Sequence, residues 1–152
     1  MEKLASQGIN VVIAALDDPL LHSFHDSISK QYPSLSFRKV AVNLAKEQEA
    51  TEAIEHATAD IDVQLLFNNA GYIQICFFAD RPIESQMANL TVNAITPVRL
   101  THHFVNRMAA KGLKGCVVFT SSPAGQMPCP FSVVYGTSKA FITEFAASLA
   151  GR

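Results

Sequence analysis

Apolar runs that do not alternate with polar residues fix the fold class of this chain. Ile9 to Ala15 is one such run, broken only by Asn10. Phe37 to Val42 is a shorter strand pattern, Val63 to Phe67 a third, and Cys116-Val117-Val118-Phe119-Thr120 a fourth. Short apolar runs bounded by turn signals read as buried strands. Helical patterns lie between them, from Pro19 to about Tyr32, Lys46 to Thr58, Ile83 to Ala110, and from Val134 onward. Strands that are apolar along their whole length and alternate with helices require a parallel sheet with helices on both faces. The chain is therefore expected to form a single α/β domain.

The punctuation agrees with this order. Residues 2–7 read as the end of a helix stopped by Gly8. Asp17-Asp18-Pro19 opens the next helix, acids in front and proline in the first turn, and Pro33 closes it. The Lys46–Thr58 helix carries Ala50, Ala53, Ile54 and Ala57 on one side. Pro97 interrupts the long helical region and is expected to kink it, because it has no N–H to give to the carbonyl of Asn93. The segment 111–115 turns the chain into the fourth strand. His22 and His25 stand three apart on a helix, but no further ligands gather near them, so they read as surface residues and no metal is expected.

Composition removes several classes of function. The 152 residues are 49% hydrophobic and 16% charged, which suits one packed domain. A net charge of −1 without a basic run argues against nucleic acid as a partner. No apolar stretch approaches the ~18 residues that a membrane span needs, and the first residues hold no signal-peptide pattern. Three cysteines, Cys76, Cys116 and Cys129, without a Cys-x-x-Cys spacing, read as reduced thiols in a cytoplasmic setting.

The chemistry concentrates between Ser121 and Lys139. Tyr135 and Lys139 are four apart on the last helix and rise from one face. A free phenol titrates near pH ~10. An ammonium about 4 Å away favours the phenolate by roughly 4 kcal/mol at an effective dielectric near 20, enough to bring the phenol toward neutral pH. Ser122, thirteen residues before Tyr135 and at the carboxyl end of the fourth strand, is placed to hydrogen-bond a reacting oxygen. This is the pattern of general acid–base catalysis by a tuned tyrosine. Asn68-Asn69-Ala70-Gly71 makes a tight turn at the end of the third strand, where backbone can approach a ligand closely. The carbonyl that Pro97 frees at Asn93 can hold a water beside the lysine.

In this order the motifs resemble those of the short-chain dehydrogenase/reductase family. That family shows an Asn-Asn-Ala-Gly turn, a helical asparagine, a strand-end serine and a Tyr-x-x-x-Lys helix on a Rossmann-like doubly wound parallel sheet. The resemblance covers essentially the whole chain and implies NAD or NADP as cofactor and a small-molecule alcohol or ketone as substrate. It implies Tyr135 as acid/base, Lys139 as its partner and as a ligand of the nicotinamide ribose, and Ser122 as the group that positions the substrate oxygen. Asn93 would carry the water of a proton relay through its backbone. Asn69, Ala70 and Gly71 would border the adenosine half of the cofactor. Ser121 fits the spacing less well. The resemblance also implies that the two long helices flanking the fourth strand form a homo-oligomer interface.

Three departures from the family pattern shape the expectation. None of the seven glycines forms the Gly-rich loop that cradles a pyrophosphate, and the segment expected after the Tyr-x-x-x-Lys helix is not in the sequence. The chain thus reads as an internal fragment whose sheet lacks its first and last strands. In the strand order 3-2-1-4-5-6 the first strand is central, so two inner edges are expected where it would lie, and no useful hydride transfer from the 152 residues alone. At the end of the family's second strand stands Leu16, followed by Asp17-Asp18, and an aspartate there disfavours a 2′-phosphate and favours NAD. Asn43 occupies the place of an adenine-contacting Asp. Two other readings compete: a catalytically silent binding or dimerising module, and a nucleotide sensor, against which the intact Ser122, Tyr135 and Lys139 set argues. The stretches Ile73–Phe78 and Gln126–Phe131 are apolar and suggest a hydrophobic substrate, fatty or steroid-like.

Overall fold

The computed structural model describes residues 1–150. Strand β1 (Val11–Ala15) pairs in parallel with β2 (Phe37–Ala41), and β3 (Leu65–Asn68) pairs in parallel with β4 (Cys116–Phe119). The helices are α1 (Glu2–Ala5), α2 (Pro19–Gln31), α3 (Glu47–Ala57), α4 (Ile83–Leu90), α5 (Thr96–Ala110) and α6 (Val133–Ala150). Local rules place their ends. Gly8 and Gly112 take positive φ (80° and 62°) to stop the elements before them. Asp18 caps α2 by accepting from the Leu21 N–H at 2.8 Å, with Pro19 in the first turn.

The α/β architecture is present, and so is the gap. Strands β1 and β2 form one two-stranded sheet and β3 and β4 another, with no ladder between β1 and β3. One core crosses both: Val40, Ile54, Leu100, Phe104 and Met108 are buried together, packed by Val12 and Ala14 of β1 and Leu66 of β3. Helices α3 and α5 thus join the two sheets from one face. Polar bonds reinforce the joint. Thr96 donates to the Leu44 carbonyl at 2.8 Å, and the Arg107 guanidinium reaches the Thr58 and Ile61 carbonyls at 3.0 and 2.9 Å.

The expectation that every strand is buried needs correction for β3 and β4. On the face away from α5, Leu65, Phe67 and Val118 are 40%, 48% and 39% exposed. Apolar runs in a parallel sheet anticipate cover on both faces, and no described element lies over this one. The long helical region also differs in detail from a helix kinked at Pro97. Between α4 and α5 the backbone widens into a π-helical segment, Thr91–Ile95, in which the Thr96 N–H reaches back to the Thr91 carbonyl. Pro97 then falls in the first turn of α5, directly after this segment.

Candidate active site

The parallel register Asn68↔Phe119 brings the ends of β3 and β4 level. The two turns that follow are tied by Thr120 Oγ1 donating to Asn69 Oδ1 at 2.9 Å. Helix α6 lies over this end, held to β4 by the edge-on contact of Phe119 with Phe145, ring centres 5.7 Å apart.

Lys139 is the centre of the arrangement. Its residue is only 4% exposed, and its Nζ donates to the Thr120 carbonyl at 2.9 Å. Burial holds the ammonium below the usual lysine value. Nζ lies 5.7 Å from the centre of the Tyr135 ring, within cation–π reach, and Tyr135 is half-buried. Tyr135 and Lys139 therefore share one side of α6, as their spacing predicts.

Gly71 and Asn93 meet at the same place. A Cβ on Gly71 would collide with Asn93 Oδ1 and stand 3.3 Å from Lys139 Nζ, so the turn approaches as only glycine can. Asn93 is 2% exposed, and its Nδ2 donates to the Tyr72 carbonyl at 3.0 Å and to the Asn89 carbonyl at 2.9 Å. The π-helical turn contains Asn93, and such turns are common at functional sites.

The two serines at the end of β4 have different partners. Ser121 Oγ bonds the Lys139 carbonyl at 3.2 Å and the Thr143 hydroxyl at 2.6 Å, so it is committed to the backbone of α6. Ser122 Oγ accepts from the Ala124 N–H at 3.2 Å and caps the short 3₁₀ turn Pro123–Gly125, which leaves its hydroxyl hydrogen to give. Asp17 and Asn43 sit at the ends of β1 and β2, in the other sheet. Asp17 is exposed and bonds His22 at 2.7 Å, while Asn43 Oδ1 accepts from the Ala45 N–H at 3.0 Å. Asn69 and Ala70 are exposed beside Gly71. The structure thus gathers Gly71, Asn93, Tyr135 and Lys139, and leaves Asp17 and Asn43 on the far half. Among the described residues no group of three His, Cys, Asp or Glu is placed to hold a metal.

Sequence reasoning missed the residues that set the spacing. A Cβ on Gly125 would stand 2.6 Å from the Ala140 nitrogen and 2.7 Å from the Lys139 carbonyl carbon. One on Gly136 would stand 3.0 Å from the Ala124 carbonyl oxygen. These two glycines let the serine turn lie directly on α6. Two glycines eleven apart, one in the turn and one in the helix, were the available signal.

A parallel α/β sheet with helices between its strands is a Rossmann-like fold. The short chain dehydrogenase family matches the chain over residues 1–152, and the chain belongs to that family. It is 27% identical over 155 residues to the very-long-chain 3-oxoacyl-CoA reductase of Aspergillus terreus, covering 97% of this chain and 42% of that protein. It is 27% identical over 149 residues to the 7beta-hydroxysteroid dehydrogenase of Mediterraneibacter gnavus, covering 98% and 56%. A solved 7beta-hydroxysteroid dehydrogenase superposes with a TM-score of 0.90 at 28% identity, covering 98% of this chain and 56% of the other. The bulky-bulky ketone specific alcohol dehydrogenase from Comamonas testosteroni gives 0.88 at 25%, covering 97% and 59%. The chain spans 42% to 59% of the length of these four matches. No helix among the described residues is long and apolar enough to cross a membrane.

Proposed function

We propose that the chain carries the proton-transfer side of a site that interconverts an alcohol and a ketone or aldehyde with NAD or NADP. One observation carries the reading: the buried Lys139 ammonium lies 5.7 Å from the Tyr135 ring at the end of β4, on the point where Gly71 and Asn93 close in. In reduction Tyr135 gives its hydroxyl proton to the carbonyl oxygen of the substrate, and in oxidation it takes the proton back. Ser122 donates to the same oxygen and holds it in line. Asn93, whose carbonyl receives nothing from Pro97, holds a water through which Lys139 passes protons to solvent. Oligomerisation through α5 and α6 belongs to the same reading.

The residues fit one end of the dinucleotide. Lys139 presents an ammonium to ribose hydroxyls, and Gly71 lets backbone come close, with Asn69 and Ala70 bordering the adenosine half. Asp17 and Asn43, at the ends of β1 and β2, suit the second ribose and the adenine, and the carboxylate of Asp17 favours NAD. The pyrophosphate end has no Gly-rich turn among the described residues. The dinucleotide, when bound, supplies or accepts the hydride. The apolar side chains exposed beside the site, Ile73, Ile75, Phe77, Met127 and Phe131, suit a hydrophobic substrate. The steroid and acyl-CoA names of the relatives support that choice.

The test uses the whole protein. Tyr135→Phe is expected to remove nearly all turnover of a hydrophobic ketone while NADH binding, followed by cofactor fluorescence, stays within about twofold. Wild-type turnover in Tyr135→Phe would sink the assignment. A second reading, a binding or dimerising module without turnover, is favoured by the gap between β1 and β3. Titration of the 152-residue chain with NADH and NADPH separates the two. Saturable micromolar binding with ketone reduction that Tyr135→Phe abolishes would rule the module out.

A further inference from the structure

Helix α4 presents amides and a hydroxyl where an amphipathic helix ordinarily buries apolar side chains. Gln86 and Asn89 are 5% and 0% exposed. Each reaches the segment 72–78, which follows Gly71 and contains no strand. Gln86 Nε2 donates to the Phe78 carbonyl at 3.2 Å and lies 3.9 Å from Cys76 Sγ. Asn89 Nδ2 donates to the Tyr72 carbonyl at 2.9 Å, alongside the bond from Asn93. Between them Gln74 Nε2 donates to Ser85 Oγ at 2.8 Å. From the opposite side the Cys76 N–H donates to the Phe131 carbonyl at 2.8 Å, and the Phe77 and Phe131 rings meet edge-on at 5.1 Å.

This ladder holds both ends of an irregular segment while its apolar side chains stay outside. Ile73, Ile75 and Phe77 are 53%, 69% and 61% exposed. Packing alone does not account for it. Asn89 Oδ1, Asn93 Oδ1 and Gln74 Oε1 are buried with no partner among the described residues, a desolvation cost that a stripe of leucines at the same positions would not incur. The donors match the carbonyls of Tyr72 and Phe78, which no strand partner would otherwise satisfy. The segment also adjoins the site at both ends: Gly71 packs on Asn93 and Lys139, and Phe131 lies four residues before Tyr135.

We propose that Gln86 and Asn89 are positioning residues that set substrate specificity, holding residues 72–78 as a preformed apolar wall of the cleft beside Tyr135. The proposal rests on the hydride-transfer reading and deepens it. A wall fixed before binding needs no ordering when an apolar substrate arrives, and that advantage grows with substrate size.

The experiment uses the whole protein with Gln86→Met and Asn89→Leu, singly and together. Steady-state kinetics with ketones of increasing apolar size is combined with NADH binding and hydrogen exchange of residues 72–78. The expected result is a loss of about tenfold in kcat/KM for the largest ketone relative to the smallest, carried by KM. NADH affinity stays unchanged, and exchange in residues 72–78 is faster. Unchanged exchange, or faster exchange with the ranking of ketones intact, overturns the proposal, as does an equal fall in kcat for every ketone. Should neither substitution yield folded protein, Phe77→Ala, on the outer side of the wall, must flatten the same ranking, and an unaltered ranking overturns the proposal. The hydride-transfer reading stands or falls separately, on Tyr135→Phe.

Discussion

Lys139 places a cation in a buried position, where an uncharged side chain would carry no charge to desolvate. Its ammonium has burial against it and the Thr120 carbonyl for it, and burial prevails, because its folded value lies below the ordinary 10.5. The sign of the pH dependence follows. Between the depressed folded value and 10.5 the unfolded chain binds more protons than the folded one, so stability rises with pH across that window. The penalty is present in full below the folded value and gone above 10.5. Lys139→Met removes that penalty, leaves the Thr120 carbonyl without its donor, and should abolish turnover in the whole protein. The melting temperature of the wild type relative to the variant should rise as pH approaches 10.5, and a difference that stays constant with pH would contradict this. The sequence displays such a residue because its chemistry is in its side chain. Thr120 was not legible, since it acts through a carbonyl that every residue has. The separate partners of Ser121 and Ser122 were half legible: spacing favoured Ser122, and only the bonds of Ser121 to α6 show where its hydroxyl goes.

At the scale of elements, starts and stops could be read wherever a residue type enforces them. Asp18 and Pro19 open α2, and Gly8 and Gly112 take the positive φ that ends a helix. The third strand was expected from Val63 and begins at Leu65, since apolar character continues past the point where pairing with Cys116 starts. Pro97 announced an irregularity, but the π-helical turn before it carries no residue signature. The contact between the serine turn and α6 is likewise tertiary. It yields a sharp expectation for Gly125→Ala, because the new methyl meets the backbone of Lys139 and Ala140, which cannot rotate away. Thermal melting should show a loss of about 1–3 kcal/mol. Turnover should fall by about a hundredfold, because Lys139 moves with the backbone. Full activity in this variant would show that the spacing of turn and helix is not critical.

The whole molecule exposes more surface than its mass predicts. Its accessible area of 9322 Å² exceeds by roughly a quarter the ~7,500 Å² of a compact monomer of this size. The excess is intelligible in the uncovered face of Leu65, Phe67 and Val118 and in the unpaired edges of β1 and β3. Such edges and faces favour self-association. The 152-residue chain should show a mass that rises with concentration in sedimentation, and Phe67→Lys should reduce the effect. A monomer at all concentrations would refute this. The need for cover on that face was written in the apolar runs, whereas the strand order pointed only to the unpaired edges of β1 and β3. The burial of Lys139 has one further consequence, in time. An amine-acylating reagent reaches Nζ only when the end of β4 parts from α6, so Lys139 should be acylated last among the lysines, at the frequency of that opening. Its labelling rate is a clock built into the site, and a ligand that seals the cleft should slow it.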